Sequence, residues 1–397
     1  MELSLRLKNM AESETLAMSQ KSRELQAQGI DVINLSVGEP DFFTPDHIKE
    51  AAKAAIDGNF SFYSPVPGFL SLRQAICTKL KNENNLDFEP SQIVCSNGAK
   101  QAVCNVLMSV IGPNDEVIVP APYWVSYVEM VKMAEGTPVV VHTGMENGFK
   151  LTPAQLESAI TPRTKALILC SPSNPTGSVY THDELAELAG VLVNCPNILI
   201  ISDEIYEHIN YIGKHESIAQ FEALRDHVAV VNGVSKAFAM TGWRLGWVAA
   251  PLWLAQACTK LQGQYTSGAS SIAQKAAEEA YRGSRQCVDD MREAFRRRRD
   301  LVMRLVADIE GMRLEKPMGA FYIFPECKSF FGKSTAAEQK IETAAELAMY
   351  LLEEAHVACV SGSAFGAPDF LRFSYATSDE KLIEAFARVK RALNKLE

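Results

Sequence analysis

The sequence predicts an α/β protein with a mostly parallel central sheet in a large unit, joined to a smaller α+β unit. Two observations carry this. Between about residues 90 and 250, short apolar β-branched runs alternate with longer amphipathic stretches, the pattern of strand–helix–strand crossovers covered on both faces. Beyond residue 285 come a long charged helix, short strands and further helices, which is the make-up of a smaller mixed unit. A chain of 397 residues is long enough for two such lobes.

The elements follow in order. Met1 to Gly29 mixes Glu, Lys, Arg and Gln with apolar residues and has no continuous hydrophobic stretch, so it reads neither as an export signal nor as a membrane span. The strand runs are Ile93–Cys95, Glu116–Pro120, Thr137–Val141, Ala166–Cys170, Ile198–Ser202, Val228–Val231 and Leu245–Ala249. Their brevity and Val/Ile content favour strand over buried helix. Thr152-Pro153 opens one helix, with proline in the first turn. Thr181 with Glu184 three residues on opens another as a capping box. After the long helix come Gly319–Phe324, a helical stretch Thr343–Ala355, two strands Val357–Val360 and Phe370–Tyr375, and a C-terminal helix.

Composition narrows the function. Hydrophobic residues make up 47% and charged residues 22%, as in soluble globular proteins. A formal net charge of −9 argues against nucleic-acid and anionic-membrane partners, which repel a polyanion. The basic run Arg296–Arg299 sits among acidic residues and apolar ones at helical spacing, and reads as a solvated helix face. Nine scattered cysteines without a C-x-x-C pair fit a reducing, cytoplasmic location. There is no G-x-G fingerprint, no Walker loop and no G-x-S-x-G elbow. The histidines show no ligand spacing, so no metal is assigned.

Ligands in parallel α/β sheets sit at the carboxyl ends of the strands. There the sequence places Asp203, Ser235-Lys236, Asn174 within Ser171–Gly177, and Ser96–Lys100. Singly, each has an ordinary explanation as a cap, a turn former or a surface cation. Jointly they meet the demands of pyridoxal 5'-phosphate, which needs an amine, a carboxylate for its ring nitrogen and anion donors for its phosphate. Lys236 supplies the amine as a Schiff base, and Asp203 the carboxylate. The turn Gly98-Ala99-Lys100, with Ser235 and Arg244, supplies the phosphate cup. Tyr206 and Asn174 can hydrogen-bond the ring oxygen, and Trp124 can stack on the ring. Lys236, freed when substrate arrives, can then shuttle the α-proton as base and acid.

Four motifs now point to a family. Asn174-Pro175-Thr176-Gly177, Ser202–Tyr206, Ser235–Gly246 and Leu371–Ala376 stand in the order and approximate spacing of class I pyridoxal-phosphate aminotransferases, and the resemblance runs from about residue 10 to the C-terminus. Within the family the chain resembles the bacterial and plant-plastid branch of aspartate aminotransferases, which includes aspartate/prephenate enzymes. The resemblance implies the aspartate-aminotransferase-like fold, fold type I. It implies a large cofactor domain at 46–286 and a small domain formed by 1–45 and 287–397. It makes Gly38 and Arg372 the substrate-carboxylate residues, with Trp124 and Asn174 beside them, and Tyr63 a residue that reaches the phosphate of a neighbouring subunit. The active site is then shared and a homodimer follows. Thr15 and Lys100 match the branch's residues for the distal carboxylate of dicarboxylic amino acids and 2-oxo acids.

The expected reaction is ping-pong transamination between L-aspartate and 2-oxoglutarate, giving oxaloacetate and L-glutamate, with Lys236, Asp203 and Tyr206 as the catalytic residues. The alternatives are an aspartate/glutamate-prephenate aminotransferase, bifunctional or not, and a broad-range or aromatic one. Two other classes stand behind these. A ligand-sensing domain lacks a preceding helix-turn-helix extension, and a nicotinamide oxidoreductase lacks its glycine fingerprint.

Overall fold

The computed structural model describes residues 2–11 and 14–397, with Leu5, Thr15 and Leu16 described in backbone only. All seven strand runs form strands of one sheet. They are Ile93–Ser96, Glu116–Ala121, Thr137–His142, Thr164–Cys170, Leu199–Asp203, Val228–Gly233 and Gly246–Ala249. Six run parallel, and Gly246–Ala249 is inserted antiparallel between Ile93–Ser96 and Val228–Gly233.

The apolar runs are continuous because both faces of the sheet are buried. Ile93, Cys95, Ile118, Leu167, Leu169, Ile200, Val230 and Trp247 point to one apolar cluster, closed by the helices Asp46–Asp57, Leu70–Asn84, His182–Leu192 and Ser271–Arg282. Their neighbours Val94, Val117, Val119, Ile168, Ile201, Val231 and Val248 point to the other, closed by Ala99–Val110, Ser126–Met133 and Leu252–Tyr265. Both predicted caps form. The Thr181 hydroxyl accepts from the Glu184 N–H while the Glu184 carboxylate accepts from the Thr181 N–H, and Thr152 and Gln155 do the same.

A third apolar cluster joins the helices Gln286–Ala307, Ala344–Glu354 and Asp379–Leu393 to short strands. Here two expectations need correction. Val357–Val360 is not one strand: Val357–Ala358 pairs with Ile33–Asn34, and Val360–Ser361 pairs with Leu371–Arg372 in a separate sheet that also holds Tyr322–Ile323. Nor is Arg296–Arg299 a solvated face. Four consecutive helical residues span every direction around the axis, and Arg298 and Arg299 turn inward. Arg298 grips Asp41 through Nη1 and Nη2 at 2.7 and 2.9 Å, and Arg299 lies over the Tyr211 ring.

Candidate active site

Every cofactor residue predicted from the one chain stands at one edge of the large sheet, because the carboxyl ends of six strands and the amino end of the reversed one meet there. Ile93–Ser96 runs into Gly98, Glu116–Ala121 into Trp124, Thr164–Cys170 into Asn174, and Val228–Gly233 into Ser235 and Lys236. Leu199–Asp203 ends on Asp203 itself, and Arg244 precedes the reversed strand. They open on a cavity of about 400 Å³ whose lining includes Gly38, Lys100, Trp124, Asn174, Asp203, Tyr206, Ser235, Lys236, Arg244 and Arg372.

Electrostatics in the cavity are set by burial. Asp203 accepts from Tyr127 Oη at 2.6 Å and from the Ile205 N–H at 3.2 Å. Burial, against the pull of these bonds, pushes its carboxyl up to about 6. The half-buried Lys236 amine donates to the Gly38 carbonyl at 2.5 Å, and burial, helped by Arg372 and Arg244, lowers it to about 8. A buried acid and a half-buried amine, each pushed toward its neutral form, mark a site suited to a charged ligand.

The anion cup is a backbone feature. Gly98, at φ +87°, caps the helix Ala99–Val110, and a Cβ there would meet Arg244 Nη2 at 2.5 Å. Glycine lets the guanidinium close over the helix N-terminus, whose free N–H groups favour an anion. Arg244 is fixed by the carbonyls of Thr241 and Asn97 at 2.8 and 3.2 Å. Lys100, exposed at the mouth, lies 5.0 Å from the Trp124 ring centroid. Although the residue as a whole is exposed, partial desolvation of the amine against the cavity wall, with Arg244 nearby, holds it below the usual lysine range.

Arg372 is fully enclosed. Its Nη1 donates to Asn174 Oδ1 at 2.9 Å and its Nη2 to the Ser36 carbonyl at 2.6 Å, while Nε is buried without a partner. The guanidinium is thus aimed and incompletely satisfied, as a carboxylate clamp requires. Tyr206 Oη pairs with Tyr322 Oη at 2.8 Å.

For two predicted residues this chain's cavity gives no placement. Tyr63 is 98% exposed and does not line the cavity. The Thr15 side chain lies outside the described residues. Sequence reasoning in turn missed Tyr127, Tyr322 and Glu39, all of which line the cavity. Tyr127 stands one helical turn after Trp124, and Tyr322 lies in the Gly319–Phe324 run, to which the sequence reading gives no site role.

These residues fit pyridoxal phosphate: Asp203 makes no ion pair among the described residues, Lys236 is an amine lowered to about 8, and the Gly98 cradle is shaped for an anion. Fold and site define a transaminase. The chain belongs to the class I and II aminotransferase family, whose model matches residues 30–389, and that family implies this cofactor. It is 50% identical over 390 residues to the aspartate/prephenate aminotransferase of Cereibacter sphaeroides, covering 98% of each chain. It is 46% identical to the bifunctional aspartate aminotransferase and glutamate/aspartate-prephenate aminotransferase of Petunia hybrida, covering 98% of this chain and 82% of that one. Among solved structures it is similar to the aspartate aminotransferase of Rhizobium meliloti, with TM-score 0.97, 42% identity and 100% coverage of both chains. It is also similar to that of Thermus thermophilus with maleate, with TM-score 0.93, 41% identity, and 99% and 100% coverage.

Proposed function

We propose that the chain is an aspartate aminotransferase, transferring the amino group of L-aspartate to 2-oxoglutarate in a ping-pong sequence. The observation that carries this is the presence of two substrate-facing cations, Arg372 and Lys100, in the cavity that holds Lys236. A dicarboxylic substrate offers one carboxylate to each. The relatives' names and the maleate in the Thermus structure, itself a dicarboxylate, support the reading.

Pyridoxal phosphate, when bound, supplies a carbonyl to take up the amino group and a ring to accept the electron pair left on the α-carbon. Asp203 holds the proton of the ring nitrogen. Lys236 would take the substrate α-proton at Nζ and hold it for return, a task suited to an amine whose pKa is lowered. Arg372 holds the α-carboxylate by a two-point grip, and Asn174 fixes that guanidinium. The backbone of Gly98, Ala99 and Lys100, with the side chains of Ser235 and Arg244, would hold the phosphate, while Tyr206 and Trp124 would orient the ring.

The exposed Phe62 and Tyr63, at 82% and 98%, support a homodimer in which Tyr63 completes the other copy's phosphate cup. Apolar clusters centred on the large sheet and on the three C-terminal helices support a large domain at 46–286 and a small one at 1–45 and 287–397, with Ile205, Tyr206 and Ile209 of the first packing into the cluster of the second. No helix among the described residues is long and apolar enough to cross a membrane. The nine free cysteines support a cytoplasmic location.

A second reading adds prephenate, also a dicarboxylate, as acceptor, and the Cereibacter and Petunia names favour it. The test assays aspartate against 2-oxoglutarate and prephenate in wild type and Lys100→Ala. Turnover with aspartate and 2-oxoglutarate is expected, and its absence sinks the proposal. Lys100→Ala is expected to lower kcat/KM for aspartate roughly 10- to 100-fold, the cost of a lost charged hydrogen bond, while the cofactor absorbance is kept.

A further inference from the structure

Tyr322 touches both halves of the site, yet no role above uses it. It is buried, and its Oη lies 2.8 Å from Tyr206 Oη. A Cβ on Gly38 would sit 2.5 Å from the same oxygen, so the Gly38 backbone passes directly over the hydroxyl. Its ring lies 4.6 Å from the Arg372 guanidinium carbon, with Phe365 at 4.9 Å.

We propose that Tyr322 is a positioning residue for transamination, its hydroxyl fixing the Tyr206 phenol and its ring fixing the Arg372 guanidinium. The inference rests on the proposed function of the site.

The hydroxyl acts through proton arithmetic. Each phenol carries one proton. A Tyr206 that gives its proton to the cofactor's ring oxygen must accept at its own oxygen, and Tyr322 Oη is the partner at 2.8 Å. A phenol that accepts while donating is the stronger donor. Burial raises both phenols above their usual range, so the pair stays protonated and the bond stays available.

The ring acts on a different atom. Asn174 and the Ser36 carbonyl hold the Arg372 guanidinium at its edge through Nη1 and Nη2, while Nε is buried without a partner. The faces of Tyr322 and Phe365 supply the remaining constraint and a favourable quadrupole for a desolvated cation. The charged and titratable groups around the pair include Arg372, Cys170 and Glu39, and Lys236, whose Nζ lies 5.8 Å from the Tyr206 ring centroid. Those around Lys236 are Glu39, Arg372, Arg244 and Asp203.

Tyr322→Phe keeps the ring and removes the hydroxyl, whereas Tyr322→Leu removes both. In cofactor-loaded protein, two quantities are read: the pH midpoint of the visible absorbance and the dissociation constant of maleate. Tyr322→Phe is expected to raise the midpoint by roughly half a unit to one unit, the size a neutral hydrogen bond transmits, with maleate affinity within about twofold of wild type. Tyr322→Leu is expected to raise the midpoint similarly and to weaken maleate roughly tenfold.

A Tyr322→Phe midpoint equal to that of wild type overturns the proposal, whether or not Tyr322→Leu folds. So does an unchanged maleate constant in folded Tyr322→Leu, or equal weakening in both variants. A wild type that develops no cofactor absorbance, or does not bind maleate, overturns the proposed function instead.

Discussion

The segment Asp203–His208 has two faces, buried to the same degree and electrostatically opposite. Toward the cavity it presents Asp203, 3% exposed, whose hydrogen-bond partners are a phenol and a backbone N–H and which burial pushes up to about 6. Away from it the segment presents Glu204 and Glu207, the latter 6% exposed. Glu207 accepts from Lys79, and from Asn84 and Asn232 at 2.8 Å each. Burial would raise its carboxyl as well, but Lys79, His208 and His215 outweigh that and hold it well below the usual carboxylate range. Glu204 accepts from Ser202 at 2.8 Å and Ser217 at 2.5 Å, and faces His215 Nε2 at 2.9 Å. Burial therefore does not decide ionisation here; pairing does. The rear face is satisfied and holds the segment still, while the front face keeps an unmet demand for positive charge that a bound, protonated ring nitrogen would answer.

If that contrast is right, removing charge should have opposite effects on the two faces. The larger effect is at the rear. Lys79→Met strands Glu207 as a buried charge and is expected to cost about 3–5 kcal/mol in urea unfolding. Exchanging both partners for apolar residues of similar volume should recover most of it, as at other buried ion pairs. Equal loss in the single and double variants would show that the cluster is not acting through charge pairing.

At the front the sign reverses. Asp203 has a folded pKa above its unfolded one, so between about pH 4 and 6 the folded state binds more protons than the unfolded. Stability of the cofactor-free protein therefore falls as pH rises through that window and stays lower above it. Asp203→Asn removes this penalty and keeps one acceptor oxygen, for either Tyr127 or the Ile205 N–H. At pH 7.5 the cofactor-free variant is expected to be more stable by up to about 3 kcal/mol and nearly inactive, a trade of stability for function. A destabilised variant would mean that the Tyr127 bond outweighs the burial of the charge.

The same contrast explains what could be read from the sequence. Strands covered on both faces leave continuous apolar runs, so all seven were legible. Their order was not, nor the reversal of Gly246–Ala249, because crossover direction leaves no local pattern. Lys236, Asp203, Asn174 and Arg372 were legible because each lies in a motif whose neighbours are constrained with it. Tyr322 was not, since its role comes from contact with Tyr206 and Arg372, which lie in other elements. The rear cluster was hidden for the same reason: it brings Lys79 and Asn84 of one helix together with His215 of a loop and Asn232 of a strand. A search for histidine spacing cannot find a histidine whose partners are a glutamate in another turn and the field of a distant lysine.

His215 offers the smallest and most selective test of the rear face. Burial lowers its pKa, but Glu204 beside it, with Glu207 behind, raises it further than burial depresses it, and the net direction is upward. A histidine with a raised folded pKa contributes stability that is fully present below its unfolded value and is lost as pH climbs through the folded one. Wild-type protein should therefore lose on the order of 1 kcal/mol from this group as pH rises from 6 to 9, a loss absent in His215→Gln. The effect is small because Glu204 keeps its bonds to Ser202 and Ser217 in either state, and because His215 Nδ1 is buried without a partner, so the charged ring already carries a cost. Urea midpoints of both proteins across that range, compared at matched slope, decide it. Curves that converge as pH rises support a protonated His215 in the folded protein, whereas parallel curves mean that Glu204 is held by its serines alone and that the rear face owes its stillness to Glu207 and Lys79.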